Sequence, residues 1–295
     1  MKKILKKLLR SILRYTSFLP DSFVVSAKYF GRLHRIPNIE NPSRFTEWLQ
    51  WYKINYRNDV MHECVDKYTV RQYVEAHGCG QYLNELYQIC DNANDIDYDS
   101  LPDSFVIKTT DGGNGDNVYV CRDKSKINIK EVNSKVNSWL NSKLGVTGRE
   151  WAYEGNNKSR IVVEKFLEDP DSLDGSIDDY KLLCFNGKFR YLWVDKNRYS
   201  NHKRGFWNED LEFLQNVVSD HPTFDVEPKL PSNIKEMIVL AEQLSAEFPF
   251  ARVDFYNIRG KITFGEITFY PWSGYVQFSP DSFDFELGKF CTTKL

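Results

Sequence analysis

Apolar residues recur along this chain with two periods, near 3.6 and near two, which mark helices and strands. After Pro20 an aromatic-rich segment reads as helix as far as Phe30. Pro37 and Pro42 bound a loop. Ser43 is then placed to cap a helix bearing Phe45, Trp48, Leu49 and Tyr52. His62–Ala76 reads as a turn and a helix, with Asp66-Lys-Tyr-Thr-Val-Arg71 at its head and Gly78 and Gly80 at its end. Amphipathic helices are expected over Lys130–Leu144 and over Ser232–Phe248, the second with Ser232 as its cap.

The strand-like runs are Leu83–Cys90, Phe105–Lys108, Val118–Cys121 and Arg160–Leu167. Asp179–Phe185 and Lys188–Asp195 flank Asn186-Gly187, a hairpin signal. A last hairpin joins Ala251–Tyr256 to Lys261–Thr268. With a three-residue loop (Ile258, Arg259, Gly260), Asp254 pairs with Phe264, and Arg252, Asp254, Glu266 and Thr268 share one face. Asp254 and Glu266 are then diagonal neighbours, roughly 7–8 Å apart. A two-residue loop shifts the pairing by one and puts the carboxylates on opposite faces. Two carboxylates so spaced either share divalent cations or line the wet face of an edge hairpin.

Composition narrows the class. At 295 residues the chain can bury a large core in one domain or in two to three lobes. A net charge of −2 argues against a general nucleic-acid binder. Six scattered cysteines (Cys64, Cys79, Cys90, Cys121, Cys184, Cys291) form no metal-type pairs and suit reduced cytoplasmic thiols. No stretch is long and apolar enough to span a membrane, and the N-terminus is not a good secretory signal. Residues 2–14 alternate apolar pairs with Lys2, Lys3, Lys6, Lys7, Arg10 and Arg14. That spacing makes a helix with one apolar and one basic face. It fits either peripheral contact with the cytoplasmic membrane face or docking on the domain.

Two further runs carry chemistry. Lys108 precedes a loop containing Gly112, Gly113 and Gly115, between two strands. Bare backbone amides in such a loop can fold over phosphates, with Lys108 as a point charge, or the loop is an ordinary flexible turn. The spacing is neither Walker A nor the dinucleotide fingerprint. Glu164, Lys165, Phe166 and Leu167 end a strand before Asp171. An exposed strand edge there can pair with an adenine edge, Glu164 accepting from the exocyclic amine and Asp171 holding ribose hydroxyls.

Taken in order, these pieces resemble the ATP-grasp superfamily, and in detail its TupA-like branch of teichuronopeptide and capsular polysaccharide biosynthesis. The matching runs are Asn41-Pro-Ser-Arg-Phe-Thr-Glu47, Asp66 to Arg71, Phe105 to Gly113, Asp179-Tyr-Lys181 onward to Lys188, Asn201-His-Lys-Arg204, and Phe250-Ala-Arg-Val-Asp254 through Phe269. The resemblance covers about residues 20 to 280. It implies an α+β ATP-grasp fold, two β-rich lobes sandwiching ATP. The segments are a helical region (1–60), a pre-ATP-grasp segment (61–103), a central lobe with a flap (104–170) and a C-terminal lobe with the metal site (171–295).

The resemblance also implies roles. Lys67 and Lys108 match phosphate-contacting lysines, and Gly112 to Asn117 the flap. Glu164 to Leu167 match the adenine hinge and Asp171 the ribose contact. Asp254 and Glu266, with Thr268 where many relatives carry Asn, match the Mg²⁺ ligands, for one or two ions. Arg252 matches the arginine that steadies the tetrahedral intermediate. Lys181, Arg198 and Arg204 join it as catalytic candidates, with Lys203 near the last two. The implied activity is an ATP-dependent, ADP-forming carboxylate–amine ligase acting through an acylphosphate. Its substrates would be ATP, a carboxylate-bearing sugar or glycan, and an amine or amino acid. Alternatives are an ATP-dependent kinase on a sugar or polyol, a glycosyltransferase and a catalytically dead binding module.

Overall fold

Two antiparallel sheets organise the molecule, seen in a computed structural model that describes residues 18–111, 117–140, 148–154 and 158–292. Gly112, Gly113 and Gly115 of the expected flap, and residues 2–14, lie outside these described residues.

The first sheet has the order β1-β4-β2-β3, from β1 (Leu86–Cys90), β2 (Phe105–Thr109), β3 (Val118–Cys121) and β4 (Ile161–Lys165). The strand β1 comes from the 61–103 segment and pairs with β4. The inward residues Phe105, Ile107, Ile161 and Val163 pack with Val132 and Val136 of helix α5 (Ile129–Leu140) in a small core.

The second sheet has the order β7-β6-β5-β8-β9. Its strands are β5 (Asp179–Phe185), β6 (Lys188–Lys196), β7 (Lys203–Trp207), β8 (Phe250–Ile258) and β9 (Lys261–Thr268). Of the basic candidates Arg198, Lys203 and Arg204, the last two lie on β7. Alternation sorts the side chains of β5, β8 and β9. Leu182, Val253 and Ile267 point into the main core, each burial contributing about 1.5–3 kcal/mol. That core also takes α2 (Phe45–Asn55), α6 (Ile234–Ser245) and α7 (Ser282–Gly288). The other face of the sheet is left for polar groups.

The remaining helices are α1 (Asp21–Leu33), α3 (Val60–Val65) and α4 (Thr69–Ala76). Two expected caps are displaced by one residue. Arg44, not Ser43, stands before α2, where the Glu47 carboxylate accepts from the backbone N–H of Asn38 (3.1 Å) and Ser43 (3.2 Å). Asn233, not Ser232, precedes α6.

The last hairpin corrects the sequence reading. Its loop is two residues, Arg259 (φ 50°) and Gly260 (φ 86°), and Ile258 pairs with Lys261. Left-handed backbone at both central positions is the type I′ turn that suits strand twist. This loop alone would have split the carboxylates between faces. A β-bulge restores the parity. Phe255 pairs with Phe264, yet Asp254 pairs with Glu266, so Gly265 is the extra residue. The two carboxylates are therefore directly opposite, not diagonal. Glycine is needed at the bulge because a Cβ there would lie 3.0 Å from the Asp254 carbonyl oxygen.

Candidate active site

The polar face of the second sheet is written by its registers. Lys181 on β5 lies opposite both Trp193 on β6 and Asp254 on β8, and Asp254 lies opposite Glu266 on β9. Asp179 lies opposite Asp195, and Arg204 on β7 is also opposite Asp195. Cross-strand partners share a face, so two adjacent rows, Lys181–Asp254–Glu266 and Arg204–Asp195–Asp179, together place ionic side chains on all five strands. They form the floor of a cavity of about 530 Å³, within the usual range for small-molecule sites. Lys67, Lys108 and Glu164 line the same cavity from the first sheet and its preceding helices.

At the centre, Arg252 donates from Nε to Asp254 Oδ1 (2.7 Å) and from Nη2 to Asp254 Oδ2 (2.7 Å). The same Nη2 reaches Glu266 Oε1 (2.8 Å) and Thr268 Oγ1 (3.1 Å). Lys181 Nζ donates to Asp254 Oδ2 (2.7 Å) and also contacts Asp179. Bidentate, charge-assisted pairing of this kind fixes geometry as well as charge. Burial pushes the Asp254 carboxyl up to about 6 against the pull of Arg252 and Lys181. Burial acts the same way at Glu266, but Arg252, Lys181 and Lys67 outweigh it and hold that carboxyl at about 2. The Glu266 side chain is 44% exposed and opens to the cavity, whereas Asp254 is buried.

Among the described residues no group of three or more His, Cys, Asp or Glu side chains could enclose a metal. The donors fit Mg²⁺ in a narrower sense. It is usually held by one or two carboxylates together with substrate phosphate, and Asp254 and Glu266 supply two hard oxygen donors directly opposite each other. The Thr268 hydroxyl donates to Glu266 Oε1 (3.0 Å).

The basic groups approach from the other sheet. The backbone N–H of Lys67 donates to Thr110 O (2.9 Å), tying the α3–α4 turn to the end of β2. Burial lowers the Lys67 ammonium pKa, and Glu266 only partly offsets this. Lys108 Nζ donates to Glu164 Oε2 (2.8 Å), and Arg71 lies 3.9 Å from the other carboxylate oxygen. The Glu164 carboxylate thus faces two cations inside the cavity. Seven basic and six acidic side chains line the cavity, so no acidic surplus opposes a polyphosphate.

Several expected residues lie elsewhere. Leu167 lines the cavity, but the exposed Lys165 pairs with Glu85 (3.4 Å), and Phe166 lies under the Arg122 guanidinium (4.9 Å). Asp171 is on the outside, paired with Arg259 at the tip of the last hairpin (2.8 Å). Lys203 pairs with exposed Asp225 (3.3 Å). Arg198 lines the cavity beside Asp179 (3.1 Å). Arg204 lines it too, held by Asp195 (Nε–Oδ1, 2.6 Å) and by Asp220.

The sequence reading missed Asp179, Trp193, Asp195, His202, Asp220, His221 and Trp272, all in the cavity wall. Asp195 accepts from Trp193 Nε1 (3.0 Å), Arg204 and His202 (2.9 Å), and against burial His202, Arg204 and Lys181 hold its carboxyl far below the usual range. Asp179 Oδ1 is buried without a donor among the described residues, an acceptor for a ligand hydroxyl or ammonium. A two-residue turn at Asn186-Gly187 alone would pair Lys181 with Leu192; a bulge at Arg190 shifts the register by one and sets Trp193 and Asp195 beside Lys181 and Asp179, which is why the sequence did not reveal them. Trp272 follows β9, where no periodicity marks it.

The profile of the TupA-like ATP-grasp family matches residues 47–292. The chain belongs to this family. The TupA-like match spans both sheets and every residue of the central ionic cluster. No curated protein sequence matches the chain. Similar solved structures include D-alanine–D-alanine ligase from Bacillus anthracis, at 17% identity and TM-score 0.44 over 70% of this chain and 57% of that one. D-alanine–D-alanine ligase from Helicobacter pylori matches at 15% identity and TM-score 0.45, over 84% and 68%. L-amino acid ligase from Bacillus licheniformis matches at 15% and 0.43, over 76% and 46%. The chain spans little more than half of the Bacillus anthracis ligase.

Proposed function

We propose that this protein is an ATP-dependent carboxylate–amine ligase that joins an amine or amino acid to the carboxylate of an acidic sugar in a bacterial surface glycan. What supports the chemistry is one cluster. Arg252 and Lys181 bind Asp254 and Glu266 at the centre of a cavity that Lys67 and Lys108 also line. The class of acid follows from the TupA-like branch.

In this reading Lys67 and Lys108 hold the phosphates of ATP. Leu167 borders the adenine. Asp179, with its open acceptor, serves a ligand hydroxyl better than the outward-facing Asp171. Asp254 and Glu266 would hold Mg²⁺, whose chemistry is to neutralise phosphate charge. The carboxylate oxygen of the acid attacks the γ-phosphorus, the bond to the β–γ bridging oxygen breaks, and ADP leaves. Phosphoryl transfer of this type is driven by positioning and by cations, not by covalent help. The amine nitrogen then attacks the acyl carbon and loses a proton, and phosphate departs. Arg252 and Lys181 stand where negative charge gathers in both steps.

The same reading sets the enzyme against an anionic membrane. Residues 2–14 carry six basic side chains, and further along the sequence Phe18, Phe23 and Phe30 are 81%, 60% and 54% exposed. No described helix is long and apolar enough to cross a bilayer.

The test is ADP release from purified protein. A ligase needs both a sugar acid and an amine. Release with a hydroxyl acceptor alone would replace this reading with a kinase.

A further inference from the structure

Beyond the central cluster, the cavity ends in a wall of unusual construction. Trp272 (φ 52°, ψ 15°), Ser273 (φ 57°, ψ 21°) and Gly274 (φ 67°) form three consecutive left-handed residues. Such backbone is costly for non-glycine residues and persists only where its surroundings enforce it. Here α2 enforces it. Buried Lys53 donates from Nζ to Ser273 O (2.7 Å) and Oγ (3.1 Å). Gln50 Nε2 donates to Gly274 O (3.1 Å). Gly274 is pressed against α2 so closely that a Cβ would lie 2.9 Å from Leu49 Cβ.

The result of this bracing is the position of one indole. Trp272 stacks on Trp193 with ring centroids 4.1 Å apart and planes 23° from parallel. Its Nε1 donates to Asp220 Oδ1 (3.2 Å). Trp193 is buried and Trp272 is half-buried at the cavity wall. Around them are His202 and His221, themselves stacked at 3.7 Å, and the Arg198 guanidinium, 39% exposed. The order across the site is consistent. Lys67 lies on the Glu266 side of the cluster, on β9, and Trp193 lies on β6 toward the opposite edge.

We propose that Trp272, backed by Trp193, is the platform of the acceptor subsite, and that its ligand is the pyranose ring of a sugar acid. This rests on the ligase reading. A pyranose presents an apolar C–H face to an aromatic ring and an edge of hydroxyls to polar groups. The wall offers a half-exposed indole and a polar rim, in which the Arg198 guanidinium also pairs with Asp179 (3.1 Å) and His221 lies 3.8 Å from Asp220. An aryl acid has no hydroxyl edge to use the rim, and a neutral sugar has no anion for Arg198.

Saturation-transfer NMR on the full-length protein, with glucuronic acid as probe, tests this directly. Transfer to the sugar ring protons is expected with wild-type protein, together with weaker binding of glucose and of phenylacetate. W272A should weaken glucuronate binding about tenfold while ATP binding is unchanged. W272F should retain most of it and W272L should lose it. That pair decides the question if W272A does not fold. D254N should keep the glucuronate signal while losing ATP turnover, so failure of the ligase reading is visible separately. Absence of transfer in wild type, unchanged affinity in W272A or W272L, or equal binding of glucose or phenylacetate would overturn the proposal.

Discussion

Gly265 is the residue on which the proposed metal pair turns, and Gly265→Ala is the most informative single change. It sits in the bulge that sets Glu266 opposite Asp254. A Cβ there would lie 3.0 Å from Asp254 O, 3.3 Å from Asp254 C and 3.4 Å from Asp254 Cβ. All three atoms belong to the residue whose carboxylate is bound by Arg252 and Lys181, so relief must move Asp254 itself. Inserting one methyl into a close-packed site costs about 1–3 kcal/mol. A shift of a few tenths of an ångström in a reacting constellation is expected to lower turnover about tenfold, since roughly 1 Å can cost about 10²-fold. Urea unfolding followed by circular dichroism gives the first quantity and ADP release the second. Deleting Gly265 is the sharper companion. It removes the extra residue, turns Glu266 and Thr268 toward the core, and should abolish both turnover and cooperative folding. Wild-type turnover and unfolding midpoint in Gly265→Ala would refute the argument that the bulge sets the site.

Three other outcomes are expected. Asp254→Asn should lower ADP release at least about 10²-fold, and should cost about 3–5 kcal/mol because it leaves Lys181 and Arg252 short of their buried anion; circular dichroism separates the two losses. Lys53 is fully buried and its ammonium pKa is lowered to about 8 from 10.5, chiefly by burial. Between those values the unfolded chain holds a proton that the folded chain has released, so stability should rise with pH, by about 3 kcal/mol across the window, and Lys53→Met should remove that slope in urea unfolding. Flotation with phosphatidylglycerol vesicles should carry the wild-type protein upward, neutral phosphatidylcholine vesicles should not, and removing residues 2–14 or introducing Phe23→Glu with Phe30→Glu should abolish it; equal flotation of all forms would exclude the membrane contact.

The elements were largely legible because their signals are local. Asn186-Gly187, with left-handed φ of 51° and 70°, sits where its dipeptide predicts a two-residue hairpin turn, whereas the bulge at Arg190 that brings Trp193 and Asp195 onto the face of Lys181 and Asp179 carries no such dipeptide. The caps were misplaced because Ser43 and Ser232 are good cap residues in the wrong place by one, and Glu47 satisfies the loop amides instead. The nucleotide-end assignments suffered from a different blindness. Asp171 has the right spacing from Glu164 to reach a ribose, but spacing says nothing of Arg259, which arrives from a hairpin 88 residues away and holds it outside.

The last hairpin shows where parity arguments stop. A loop of two residues and a bulge of one residue restore the same facing as a loop of three, because each inserts one residue between Asp254 and Glu266. Facing depends only on whether the number of residues between the strands is odd or even. The pattern of carboxylates therefore constrains the sum of loop and bulge and leaves the division between them open. Distance does depend on the division. With the extra residue in the loop the carboxylates are diagonal, whereas in the bulge they are directly opposite, close enough for one guanidinium nitrogen to bind both at 2.7 and 2.8 Å. The bulge is thus the part of this site that chemistry, and not folding alone, has reason to keep. Gly265 marks it in the sequence, the one glycine inside an otherwise β-favouring run from Lys261 to Thr268.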